Sequence, residues 1–152
     1  MHRPTGSPSE VRTAASLGYS AYSQVFPYVP SAARIGRERV RDVLAMWRLD
    51  SIAEPATLIV TELIANASRH TCCPAVRLVV VRRVANQVRV GILDRDPSRL
   101  PALGQAGEQD ESGRGLLLVD AIADRWGYDL LGPGRRPFAK EVWAELHTKV
   151  DE

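Results

Sequence analysis

Thr57-Leu58-Ile59-Val60-Thr61-Glu62-Leu63-Ile64-Ala65-Asn66-Ala67-Ser68-Arg69-His70 is the stretch whose reading decides the fold. Its apolar residues recur at helical spacing, and Glu62, Asn66 and His70 follow one another in steps of four. Such steps place all three on one narrow stripe of a helix. A glutamate can take a proton, an asparagine oxygen can hold a hard cation such as Mg²⁺, and an imidazole can orient or donate. Together they describe the acid–base and metal side of a phosphate site. Taken alone, the commoner meaning of such a stripe is the wet face of an amphipathic helix, with Thr61 and Arg69 beside it.

Working outward, Glu54-Pro55 starts this helix with proline in the first turn, where its missing N–H costs nothing, and Pro74 lies past its end. Upstream, Ser31 offers an N-cap, and Val40, Val43, Leu44 and Trp47 recur at helical spacing, which predicts a first helix to about Arg48. Downstream, the apolar runs Val76–Val81 and Val88–Leu93 flank Ala85-Asn86-Gln87 and read as a buried hairpin. Residues 95–112, with two prolines, two glycines and no periodicity, read as a long exposed loop. A third helix is expected over Leu116–Ala123, directly after Ser112-Gly113-Arg114-Gly115. Two strands follow, Trp126–Leu131 and about Phe138–His147, joined by the breaker-rich turn 132–137.

At the other end, Tyr22–Val29 is extended, broken by Pro27 and closed by Pro30, so it reads as an edge strand or a staple. Residues 1–21, rich in Pro, Ser, Gly and Thr, are expected to be a disordered leader to a single domain at 22–148. The element order predicts an α+β two-layer sandwich, its helices packed on one face of a mixed, mostly antiparallel sheet.

A chain of 152 residues can bury about two-thirds of the surface its unfolded form exposes. No apolar run approaches the roughly 18 residues of a membrane span, and the N-terminus has no apolar signal region. The expectation is a cytoplasmic protein with no membrane partner. Adjacent Cys72 and Cys73 suit neither a tetrahedral zinc site nor a structural disulfide, and read as reduced thiols. Arg34, Arg37, Arg41 and Arg48 share one side of the first helix, but the net charge of only +2 favours a solvated face over a direct nucleic-acid contact.

Two further elements bear on chemistry. By strand parity Asp94 follows Val88, Val90 and Ile92 onto one face of the sheet. If helices cover that face, its carboxylate points inward and needs a donor, which the exocyclic amine of a purine would supply. The alternative is that Asp94 has left the strand and makes an Asx turn with Asp96-Pro97. Gly113-Arg114-Gly115 would let backbone approach an anion and then present the free N–H groups of a helix start, although a lone G-x-G is more often only a tight turn. It closes the long loop, so a bound polyphosphate would lie at the hinge of a lid.

With these residues in view, the chain resembles the anti-sigma regulatory factor and serine-protein-kinase branch of the GHKL ATP-binding superfamily, over residues 26–146. Glu62-Leu63-Ile64-Ala65-Asn66-Ala67-Ser68-Arg69-His70 resembles its N box, Val90–Pro97 its first glycine box, Glu111–Tyr128 its second, and Lys140–Leu146 its closing strand. The resemblance implies a Bergerat-type fold binding Mg²⁺ and ATP. Within it Glu62 is the catalytic base, Asn66 the metal ligand, His70 a neighbour of the phosphates and Asp94 the ligand of the adenine amine. Gly113, Arg114, Gly115 and Leu116 are cast as cofactor-binding residues, the two glycines cradling the phosphates and Arg114 offsetting developing charge. It further implies sequestration of a sigma factor, phosphorylation of a serine on an antagonist protein, and compatibility with a homodimer. Two departures stand out. Arg95-Asp96-Pro97-Ser98 lacks the glycines of the wider superfamily's box, and Glu141 stands where the family usually has threonine or serine near the adenine. A nucleotide-binding regulator without kinase activity and a nucleotide-free interaction module are the rival readings.

Overall fold

The computed structural model of the chain describes residues 11–14, 19–70, 75–97, 100–101 and 111–148. Strands β1 (Val11–Ala14) and β2 (Tyr19–Pro27) come first, then helix α1 (Ala32–Met46), a 3₁₀ turn at Asp50–Ile52, and helix α2 (Ala53–His70). The hairpin β3 (Ala75–Val84) and β4 (Gln87–Asp94) is followed by helix α3 (Glu111–Ile122) and the strands β5 (Arg125–Leu131) and β6 (Ala139–His147). The sheet has the order β1-β2-β3-β4-β6-β5, and every described pairing is antiparallel. The two-layer α+β architecture is as expected, with the sheet antiparallel throughout rather than mixed.

The core is written in two periods. In β3 the side chains of Val76, Leu78 and Val80 are buried, while Arg77, Val79 and Val81 between them are half-buried on the other face. The run that reads as continuously apolar is therefore a strand with one covered face and one open one. Against the covered face lie Val40, Val43 and Leu44 of α1 and Ile59, Val60, Leu63 and Ile64 of α2, all buried at helical spacing. Helix α2 is central, packing on α1, α3 and β4. At Gly36 a Cβ would lie 2.5 Å from Ile64 Cδ1, so the missing side chain lets α1 approach α2 closely.

Three sequence expectations change in detail. Ser31 occupies the N-cap of α1 but makes no side-chain cap bond; its carbonyl accepts the Ile35 N–H at 3.0 Å. The ordered sheet starts before Tyr22, because Val11–Ala14 pairs antiparallel with Tyr19–Tyr22. An extra strand on β2 satisfies backbone groups that an edge would leave to water, which a composition rich in turn-formers concealed. The arginine side of α1 is partly spent within the fold, since Arg37 Nη1 donates to Thr61 Oγ1 at 3.2 Å and Arg34 pairs with Glu38 at 2.9 Å.

The open face of the sheet is built around Trp143 of β6. Arg89 Cζ lies 3.9 Å from its ring centroid and Arg125 Cζ 5.3 Å. Arg89 Nε and Nη2 donate to Glu145 Oε2 at 3.0 and 2.8 Å, and Arg125 Nε reaches Glu145 Oε1 at 3.0 Å. Burial alone would raise the Glu145 carboxyl, but the bonds and charge of Arg89, joined by Arg125, hold it below the usual carboxylate range.

Candidate nucleotide site

Strand β4 carries its parity through to its last residue, so Asp94 falls on the helix-covered face with Val88, Val90 and Ile92 and is 1% exposed. Its register partner on β6 is Lys140, 3% exposed, which shares that face with Val142, Ala144 and Leu146. Lys140 Nζ donates to Asp94 Oδ1 at 2.9 Å and also to the Asp96 carbonyl. The Asp96 N–H donates to the same Asp94 Oδ1 at 2.8 Å. Asp94 has therefore not left the strand, and its carboxylate points inward as the first reading has it; of the alternative only the Asx turn on Asp96 holds.

The other oxygen is the informative one. Asp94 Oδ2 is buried and has no hydrogen-bond partner. An acceptor left in that state costs about 1–3 kcal/mol, so an unpartnered oxygen beside a fully engaged one asks for a donor. The exocyclic amine of adenine is such a donor, and on this test the chemistry of Asp94 suits an adenine base.

Lys140 is the residue that sequence reasoning missed. The signal was present: a lysine at the inward parity of an otherwise apolar strand needs a buried anion. What was not legible is which anion, because the register of β6 against β4 is a long-range fact. Glu141, expected beside the base, lies on the opposite face. It is the register partner of Leu93, and its Oε2 would sit 2.5 Å from a Cβ added at Gly91. One step along a strand reverses the face, so Lys140 and not Glu141 faces the helices. Burial pushes the Glu141 carboxyl up, partly offset by Arg89 and reinforced by Asp129.

On α2, Glu62 and Asn66 are half-buried, one turn apart on the stripe the sequence predicts. Glu62 reaches α3: a Cβ on Gly115 would lie 2.5 Å from Glu62 Oε2. The backbone of Gly115 is thus a flat seat for that carboxylate. Helix α3 begins at Glu111, earlier than expected, so Gly113-Arg114-Gly115 lies inside it. The amides from Arg114 onward then belong to the intrahelical ladder, and the N–H groups left free by a helix start are those of residues 111–113, Gly113 among them. Glu111 and Ser112 favour a helix N-terminus, and glycine tolerates helical φ, which explains the earlier start. Leu116 is buried, and its side chain is a packing group.

His70 is the last residue of α2, and its side chain, like that of Arg114, lies outside the described residues. So do Cys72 and Cys73 and most of the loop expected at 95–112. Among the described residues no three His, Cys, Asp or Glu side chains gather as metal ligands. A magnesium held by one protein oxygen plus substrate phosphates requires no such cluster. No helix among the described residues is long and apolar enough to cross a membrane.

Comparison with known proteins accords with this geometry. A family model described as the histidine kinase-like ATPase domain matches residues 26–136, more than half of the chain. An uncharacterized protein of Streptomyces coelicolor is 51% identical over 61 residues, which are 40% of this chain and 56% of that protein. The chain thus spans little more than half the length of the curated relative it matches. The family match ends before β6, so Lys140 lies outside it.

Proposed function

Because the chain belongs to the histidine kinase-like ATPase domain family, we propose that it is an ATP-dependent regulator of the anti-sigma factor type. In this reading it sequesters a sigma factor in the cytoplasm and phosphorylates a serine of the antagonist that competes for it. The observation that carries the nucleotide half is the buried, unpartnered Asp94 Oδ2 at the end of β4. The kinase half rests on Glu62, seated against Gly115 and one turn from Asn66.

In this mechanism Asp94 Oδ2 accepts the adenine amine. The Asn66 carboxamide oxygen would hold Mg²⁺, which would supply neutralising charge at the phosphates. Free amides at the start of α3, with Arg114, take the polyphosphate. Glu62 orients the serine hydroxyl and accepts its proton as the serine oxygen bonds the γ-phosphorus, the β–γ P–O bond breaks and ADP leaves. Phosphoryl transfer depends chiefly on positioning and electrostatics, so this small set suffices.

Calorimetric titration with ATP, with and without Mg²⁺, tests the first half; transfer of labelled phosphate to a serine-bearing antagonist tests the second. The expected result is magnesium-dependent binding that survives Glu62→Gln, with transfer reduced at least about 100-fold in that variant. No heat at millimolar ATP, from protein shown to be folded, would sink the reading. One observation supports a rival: the Lys140 ammonium already neutralises Asp94, as it would in an interaction module that keeps the fold without the nucleotide. That rival predicts the silent titration.

A further inference from the structure

Lys140 has a part in the site that goes beyond neutralising a charge. A carboxylate offers two oxygens, and how many are free decides which base it can read. Two free oxygens accept the paired N1–H and N2–H donors of guanine, whereas a single one suits the lone exocyclic amine of adenine. At Asp94 one oxygen is spent inside the protein, on Lys140 Nζ at 2.9 Å and on the Asp96 N–H at 2.8 Å. Lys140 also donates to the Asp96 carbonyl, so one ammonium ties the carboxylate to the turn that follows it. The ion pair is nearly solvent-free, with side-chain exposures of 4% and 0%, so neither group has water as an alternative partner.

We propose that Lys140 is a positioning residue that sets base specificity: by occupying Asp94 Oδ1 it leaves Oδ2 as the one acceptor and so restricts the pocket to bases presenting a single amine. The proposal rests on the nucleotide reading of the site given above. Lys140 does not touch the base in this scheme; it acts through Asp94. Removing the ammonium leaves Oδ1 held by the Asp96 N–H alone, with one lone pair free for a further donor, so the carboxylate can offer both oxygens to a ligand. ATP then binds less tightly, and GTP loses little or gains.

The test is the ratio of ATP to GTP affinity, measured by calorimetry on the whole chain. Wild type is expected to prefer ATP. In Lys140→Met the preference narrows by about tenfold or more, the scale of one charge-assisted hydrogen bond. Lys140→Leu, a second apolar replacement should the methionine variant not fold, narrows it likewise. Lys140→Arg retains a cation on Asp94 and keeps the preference. A merely structural lysine would lower the melting temperature in Met and Leu variants without moving the ratio. A folded Met or Leu variant with the wild-type ratio therefore overturns the role of Lys140 alone. Absence of ATP binding in the wild type overturns the nucleotide reading itself, and this proposal with it.

Discussion

Asp94 and Lys140 are each tolerable in the interior only because of the other. Removing one partner of a buried pair leaves an uncompensated charge, which typically costs about 3–5 kcal/mol. Asp94→Asn should therefore lower unfolding free energy by about 3 kcal/mol in denaturant titration, with no nucleotide present. Asp94→Asn combined with Lys140→Met, which removes both charges, should recover most of that loss. Loss of ATP binding in the single variant is then interpretable only beside its stability. Gly115 makes a contrasting case. Alanine there meets Glu62 Oε2, the far end of a flexible side chain, and glycine to alanine within a helix is favourable by up to about 1 kcal/mol. Gly115→Ala should melt at or above the wild-type temperature and bind ATP normally. Its phosphoryl transfer should fall, because Glu62 has been pushed from its seat.

Strand β6 shows how one element serves two faces with opposite electrostatics. Burial raises the Glu141 carboxyl above its ordinary value, against Arg89, whereas Arg89 and Arg125 overcome burial to lower that of Glu145. A raised carboxyl in the fold means stability that is present in acid and lost as pH rises through the shifted range; a lowered one means stability present at neutral pH and lost on acidification. Glu141→Gln should therefore melt higher than wild type at pH 7, and Glu145→Gln lower. Both differences should shrink below about pH 4, where the wild-type carboxylates take up protons. Melting curves across that range check the sign for each. Helix α2 and the β3–β4 hairpin were legible in the sequence because their signals are local, a period of 3.6 in one and of 2 in the other. The start of α3 was not, since glycines read as breakers although their backbone also accepts helical φ. Strand β1 was hidden for a similar reason, as its pairing with β2 depends on a partner and not on composition.

At the scale of the whole molecule, the proposed site draws on α2, the end of β4, the first turns of α3 and the start of β6. The sequence displays Glu62, Asn66 and Asp94 through spacing within single elements. Lys140 emerges only from the register that joins residues 46 positions apart. The same register places Glu141 on the face opposite Asp94 and makes it a group of the open face. Sheet order has one more consequence, and it concerns synthesis. Strand β6 lies between β4 and β5, yet it is the last of the three to be made. While a ribosome is still adding residues 139–147, β4 has no neighbour on that side and β5 none at all, and Asp94 stands without its cation. Unpaired strand edges of this kind are what chaperones recognise and what aggregates recruit. The emerging domain is therefore most exposed until β6 is made, and Asp94 meets its cation only when that closing strand slides home.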